Sequence, residues 1–241
     1  MKTMSALRLI IASFVYHWRM NLAVACGVAA GTAVLTGALL VGDSMRGSLR
    51  QLTLDRLGRI DDVLVTQRFF RRELADELAG RPEFGEHFAS AAPAILIRAS
   101  LENTDPQSPA RANRVNLIGC DPRFLQLGNP GPRAIPDRRQ IVLNRPAADR
   151  LGVKQGDTVL LRLPRVGSIP ADSPLGQTRE TTQTWRLTLA DVIPAEGLGR
   201  FALSPDQRLP LNAYVSLDGL AGQLDRDGLA NSILVAGRTV D

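Results

Sequence analysis

Residues 21–42 (NLAVACGVAAGTAVLTGALLVG) contain no charged side chain, in a chain of 241 residues that carries 29 Lys and Arg and 24 Asp and Glu. As a helix this stretch would be about 33 Å long, against a hydrocarbon core of about 30 Å. That length constrains every later step. It makes 21–42 a membrane helix and the chain a membrane protein with a large domain on one side. A cleavable signal core is shorter, about 7–15 apolar residues ending at a small-residue site. Here the apolar run continues to Val41, and Gly42-Asp43-Ser44 shows no Ala-x-Ala pattern. Ala23 to Cys26 faintly suggests a lipoprotein cleavage box, but more than half of the run lies after Cys26.

Ahead of the span, Leu7, Ile10, Ile11, Phe14, Val15 and Trp18 recur at helical spacing and form one apolar face. Residues 4–18 are read as a helix on the bilayer surface, within an interfacial segment 1–20, with Tyr16 and Trp18 at the headgroup level. Inside the span, Ala23, Gly27 and Gly31 repeat at one-turn spacing, which suits close packing of a second membrane helix. Beyond it, 45–60 continues helically, with Leu49, Leu52, Leu57 and Ile60 as an apolar stripe. That segment predicts a stalk running into the domain 43–241. Charge does not fix orientation, because Lys2, Arg8 and Arg19 precede the span while Arg46, Arg50, Arg56 and Arg59 follow it.

The remainder alternates short strands with short helices. Strands are expected at 62–66, 94–99, 114–120, 140–143, 157–163, 184–193, 213–217 and 232–236. Helices are expected at 71–79, stopped by Gly80 and Pro82, at 146–151 and near 217–224. Residues 164–182 hold three prolines and no periodicity, and predict a long exposed loop. Gly152 caps the helix before it, and Gly156-Asp157 turns the chain into the next strand. The pattern is that of a mixed α+β domain.

The chemistry is one of absences. The sequence has no phosphate loop, no nucleophile elbow, no HExxH and no CxxC. The carboxylate pairs Asp61-Asp62 and Asp76-Glu77 are adjacent, so they do not converge on one point. Cys26 lies in the span, which removes it as a disulfide partner for Cys120, and Cys120 has no nearby histidine to activate it. No catalytic residue, metal site or cofactor is expected. Net charge is +5, almost all of it from arginine, with no long basic run and 5% aromatic residues. This reads as scattered surface charge and not as a nucleic-acid surface.

Several segments in order resemble the N-terminal part of ABC transporter permeases of the MacB/FtsX/LolC type. They are the interfacial helix and small-residue span ending in Gly42-Asp43-Ser44-Met45-Arg46, the strand Asp62 to Thr66, VNLIGCDPRF (Val115 to Phe124), and above all IVLNRPAADRLGVKQGDTVLLRL (Ile141 to Leu163). The resemblance implies a MacB-like extracytoplasmic core domain over 43–241, incomplete in this chain, set between the first span and three or more later ones. It implies a non-catalytic subunit of the cell (inner) membrane, a permease dimer among membrane lipids, and a separate cytoplasmic ABC ATPase. Motion of the spans would reshape the external domain for export, extrusion or envelope signalling. The residues alone leave two other readings open. One is a single-pass anchored binding or sensing module. The other is an exported enzyme or lipoprotein released near Cys26.

Overall fold

The computed structural model describes residues 6–128, 130–163, 183–203 and 208–238. The expected loop at 164–182 lies outside the described residues. The chain forms two compact units, Met1–Leu52 and Thr53–Asp241.

The first unit is helical. Helix α1 (Ala6–Tyr16) is followed after His17 by α2 (Trp18–Leu57), a helix of 40 residues whose end belongs to the second unit. The Asn21 amide donates to the Phe14 carbonyl at 3.3 Å across the break, so a side chain takes part in the backbone ladder there. Ile10, Phe14, Val34, Leu39 and their neighbours are exposed, and α2 is the one described helix long and apolar enough to cross a membrane. No part of its most apolar stretch is buried within the chain. Helix α2 ends at Gly58, whose φ of 61° is left-handed. A Cβ there would sit 2.7 Å from the Leu127 carbonyl oxygen, so only glycine fits the turn.

The second unit is α+β, as the pattern predicts. It holds β1 (Ile60–Arg71), α3 (Leu74–Ala79), α4 (Pro82–His87), β2 (Phe88–Asn103), β3 (Arg111–Cys120), β4 (Gln140–Asn144), α5 (Arg145–Leu151), β5 (Thr158–Leu163), β6 (Gln183–Ile193), β7 (Asn212–Ser216), α6 (Leu217–Gln223) and β8 (Leu229–Gly237). Short 3-10 turns lie at Pro122–Leu127 and Gly197–Arg200. The strands form one mixed sheet in the order β1-β8-β2-β3-β7-β4-β6-β5. Residues Ser100–Asn103 of β2 also pair with Val159–Arg162 of β5, so six strands from β2 to β5 close on themselves. Strands β8 and β1 extend from the first half of β2. Where β2 leaves β8, the Asn231 side chain bonds both the N–H and the carbonyl of Leu96, at 2.8 and 2.9 Å.

The alternation of side chains along the strands splits the core in two. Leu117, Leu143, Ala213 and Val215 pack with Leu101, Leu161, Leu187 and the apolar sides of α5 and α6. Their neighbours Ile118, Val142 and Tyr214 pack on the other face with Phe124, Leu198 and Phe201. Strands β4 and β7 are buried on both faces, which is why they read as unbroken apolar runs. A third cluster (Ala75, Phe84, Ala91, Ile233, Val235) includes residues of α3 and α4.

Three expectations need correction. The first is the expected helix at 71–79, which begins only at Leu74. Arg71 pairs with Leu229 in the sheet and Arg72 N–H bonds the Gly228 carbonyl, so strand pairing overrides the helical pattern. The second is Pro82, read as a stop, which sits at the first turn of α4, where a missing N–H costs nothing. The third is the strand expected at 94–99, which runs over 16 residues; Pro93 within it and the polar Ser100, Glu102 and Asn103 hide its length.

A buried amide network ties β4 to the chain before β7. Asn144 Oδ1 accepts from Ala147 N–H, capping α5, and from Asn212 N–H, while its Nδ2 donates to the carbonyls of Gly199 and Pro210, both at 2.8 Å. Asn144→Ala removes the cap and strands three buried backbone groups, which predicts a loss of about 3 kcal/mol or more. Thermal unfolding of the full chain in detergent checks this. Asn144→Asp, which keeps the acceptor and loses the two donated bonds, falls between wild type and Asn144→Ala.

Candidate functional site

The groups that could carry chemistry are used structurally. Asp61 accepts from Gly237 N–H at 2.7 Å. Asp76 pairs with Arg123 at 2.5 Å and Glu77 with Arg71 at 2.9 Å, so the adjacent carboxylates diverge. Cys120 is buried with its Sγ 3.6 Å from the Val215 carbonyl oxygen, and burial, helped by the neighbouring Asp121 charge, pushes its pKa up and keeps it a thiol. The Tyr214 hydroxyl, also buried, donates to the Leu198 carbonyl. Burial raises its pKa as well, so it serves as a structural donor. Among the described residues, no three His, Cys, Asp or Glu side chains cluster to hold a metal ion.

Ala23, Gly27 and Gly31 lie on exposed parts of α2, and a Cβ built on either glycine would meet nothing within 4 Å. Gly152 ends α5 at φ 65° and ψ 29°, its N–H bonded to the carbonyls of Ala148 and Asp149. Gly156, at φ 95°, donates to Leu189 O at 2.8 Å. Asp157 accepts from Lys154 N–H at 2.7 Å through its side chain and from Leu189 N–H at 2.8 Å through its carbonyl. The turn between α5 and β5 is thereby fastened to β6, which lies between β4 and β5 in the sheet. The three turn residues form one structural unit and leave no free polar cradle.

What the sequence did not reveal is a cleft of about 610 Å³ in the second unit. It lies between the β2–β3 hairpin, the end of α2 and the connection before β7. Arg56, Arg98, Arg114, Arg150 and Arg208 all line it, together with Asn113 and Asn116, and no acidic residue does. These five arginines are therefore not scattered. They are spread over more than 150 residues of sequence, so only the sheet order brings them together. Arg114 occupies the left-handed region at φ 58°, in the bulge where β3 slips its register against Ala99 and Leu101. A bulge turns side chains out of the regular alternation, and it is commonly found beside binding sites.

No protein-family model and no curated protein sequence matches the chain. Among solved structures, the periplasmic region of MacB from Actinobacillus actinomycetemcomitans is similar, with 12% identity over 74% of each chain and a TM-score of 0.45. The extracellular domain of the noncanonic ABC-type transporter YknZ from Gram-positive bacteria aligns over 74% of this chain and 83% of its own, at 10% identity and TM-score 0.46. A domain of a permease protein from Porphyromonas gingivalis aligns over 77% and 78%, at 14% identity and TM-score 0.43. Likeness this distant identifies no activity, ligand or partner.

The turn unit makes one prediction. Gly152→Ala places a Cβ in the left-handed region with open space around it, so only backbone strain opposes it. The expected cost is about 1–2 kcal/mol, read as a lowered unfolding temperature with the circular dichroism spectrum unchanged.

Proposed function

We propose that this chain is the N-terminal part of an ABC transporter permease subunit. Residues 21–42 cross the cell membrane, 1–20 lie along its cytoplasmic surface, and the α+β unit stands outside the cytoplasm. The observation that carries the reading is where the chain enters and leaves that unit. Helix α2 delivers the chain to Ile60, and Ile60 pairs with Ala236 near the end of β8. Gly237 N–H is bonded to Asp61 beside it. Two ends side by side are what a domain inserted between two membrane helices requires.

The ordered segments from the span through Ile141 to Leu163 support the same reading. A helix of 40 residues is longer than a bilayer core needs by roughly half. The excess would act as a stalk, passing motion of the membrane helices to β1 through the tight turn at Gly58. Ala23, Gly27 and Gly31 would pack against another membrane helix, of this subunit or of a second copy. The subunit itself catalyses nothing in this reading. A cytoplasmic ATPase supplies the energy, and the external domain moves for export, extrusion or envelope signalling.

The expected result is that the full gene product, tagged at its chromosomal locus and extracted in mild detergent, co-purifies with a nucleotide-binding ATPase subunit in near-stoichiometric amount. Recovery without any nucleotide-binding subunit, at native expression level and across several detergents, would contradict the transport reading and leave an anchored binding or sensing module.

A further inference from the structure

We infer that the arginine-lined cleft binds an amphiphilic phosphate anion, a phospholipid-type headgroup with an apolar chain attached. The inference stands apart from the transport reading, since binding needs neither an ATPase nor further spans.

The first support is a contrast in how arginine is used. Elsewhere in the second unit arginines are matched with carboxylates: Arg72 with Asp218, Arg111 and Arg162 with Glu102, and Arg123 with Asp76 and Asp121. In the cleft, Arg98 of β2, Arg114 of β3 and Arg150 of α5 make no ion pair and no side-chain hydrogen bond among the described residues. Arg56 and Arg208 are already engaged, and they add positive charge to the same space. Bringing like charges together around one cleft raises the energy of the empty protein, and an anion relieves it. Guanidinium forks match phosphate oxygens two bonds at a time, which favours phosphate over a diffuse counterion.

The second support is backbone geometry. Arg114 is a long side chain held at positive φ, a conformation that costs a non-glycine residue free energy and clusters at ligand sites. The third is the apolar part of the lining. Leu203 and Leu209 are 41% and 46% exposed and lie in the same cleft as the arginines. A free phosphate would leave them in water, whereas an acyl chain would cover them. The volume of about 610 Å³ admits a headgroup and a short length of chain.

The test uses the full chain in a neutral amphipol and titrates dihexanoylphosphatidic acid below its micellar concentration, followed by isothermal calorimetry. Saturable binding at one site per chain is expected, weakening as salt is raised. The double variant Arg98→Gln/Arg150→Gln, in two exposed side chains without structural bonds, should bind about tenfold or more weakly. Arg114→Asn, which suits the same backbone region, should weaken binding and keep the fold even if the double variant does not. Four results would overturn the inference: no binding; equal binding by wild type and every folded variant; equal binding of neutral dihexanoylphosphatidylcholine; or inorganic phosphate or an oligoglutamate binding as tightly as the lipid.

Discussion

Strand β2 has three partners to satisfy, and the architecture of the second unit follows from how it does so. Its first half pairs with β8, its last four residues pair with β5, and β3 runs along its other edge from Ala94 to Glu102. Backbone groups at such a fork would be left unpaired inside the protein, at a cost of about 1–3 kcal/mol each. Asn231 removes that cost by bonding both polar groups of Leu96, and the Ser232 hydroxyl bonds the Ala94 carbonyl one step earlier. With the fork satisfied, one branch of the sheet closes into a six-stranded core. The other extends to β8 and β1, the strand that follows α2.

The same economy of buried amides builds the cleft. The chain from 197 to 211 crosses one face of the sheet and has no ladder of its own to hold it. Asn144, Asn212 and the Tyr214 hydroxyl bond its carbonyls at Leu198, Gly199, Phe201 and Pro210. That connection then forms one wall of the cleft, opposite the β2–β3 hairpin where the bulge at Arg114 interrupts the register. Core polar groups and the exposed arginines are thus two ends of one arrangement. The former fix where the wall stands, and the latter face the space it encloses.

Much of this was legible in the chain. The uncharged run at 21–42 signals its own length, and β4 through β5 are marked by Asn144 before a helix, Gly152 after it and Asp157 at the next strand. Those signals are local, and local physics decides them. The helix at 71–79 was misjudged because a distant strand, β8, captured Arg71 and Arg72. The full length of β2 was hidden because its buried neighbours come from β3, β5 and β8, which no short window contains. The cleft was invisible for the same reason. Five arginines far apart in sequence look like surface charge until the order of the strands places them together.

The central claim is that α2 carries the α+β unit to the outside of the cytoplasmic membrane. Ser108 lies exposed in the loop between β2 and β3, and Cys120 is fully buried. Replacing Cys26 by serine and Ser108 by cysteine leaves one accessible thiol. In spheroplasts, a membrane-impermeant maleimide should label that thiol from the medium, with no gain on permeabilisation. Labelling that appears only after the cytoplasmic membrane is opened would place the domain inside and contradict the account.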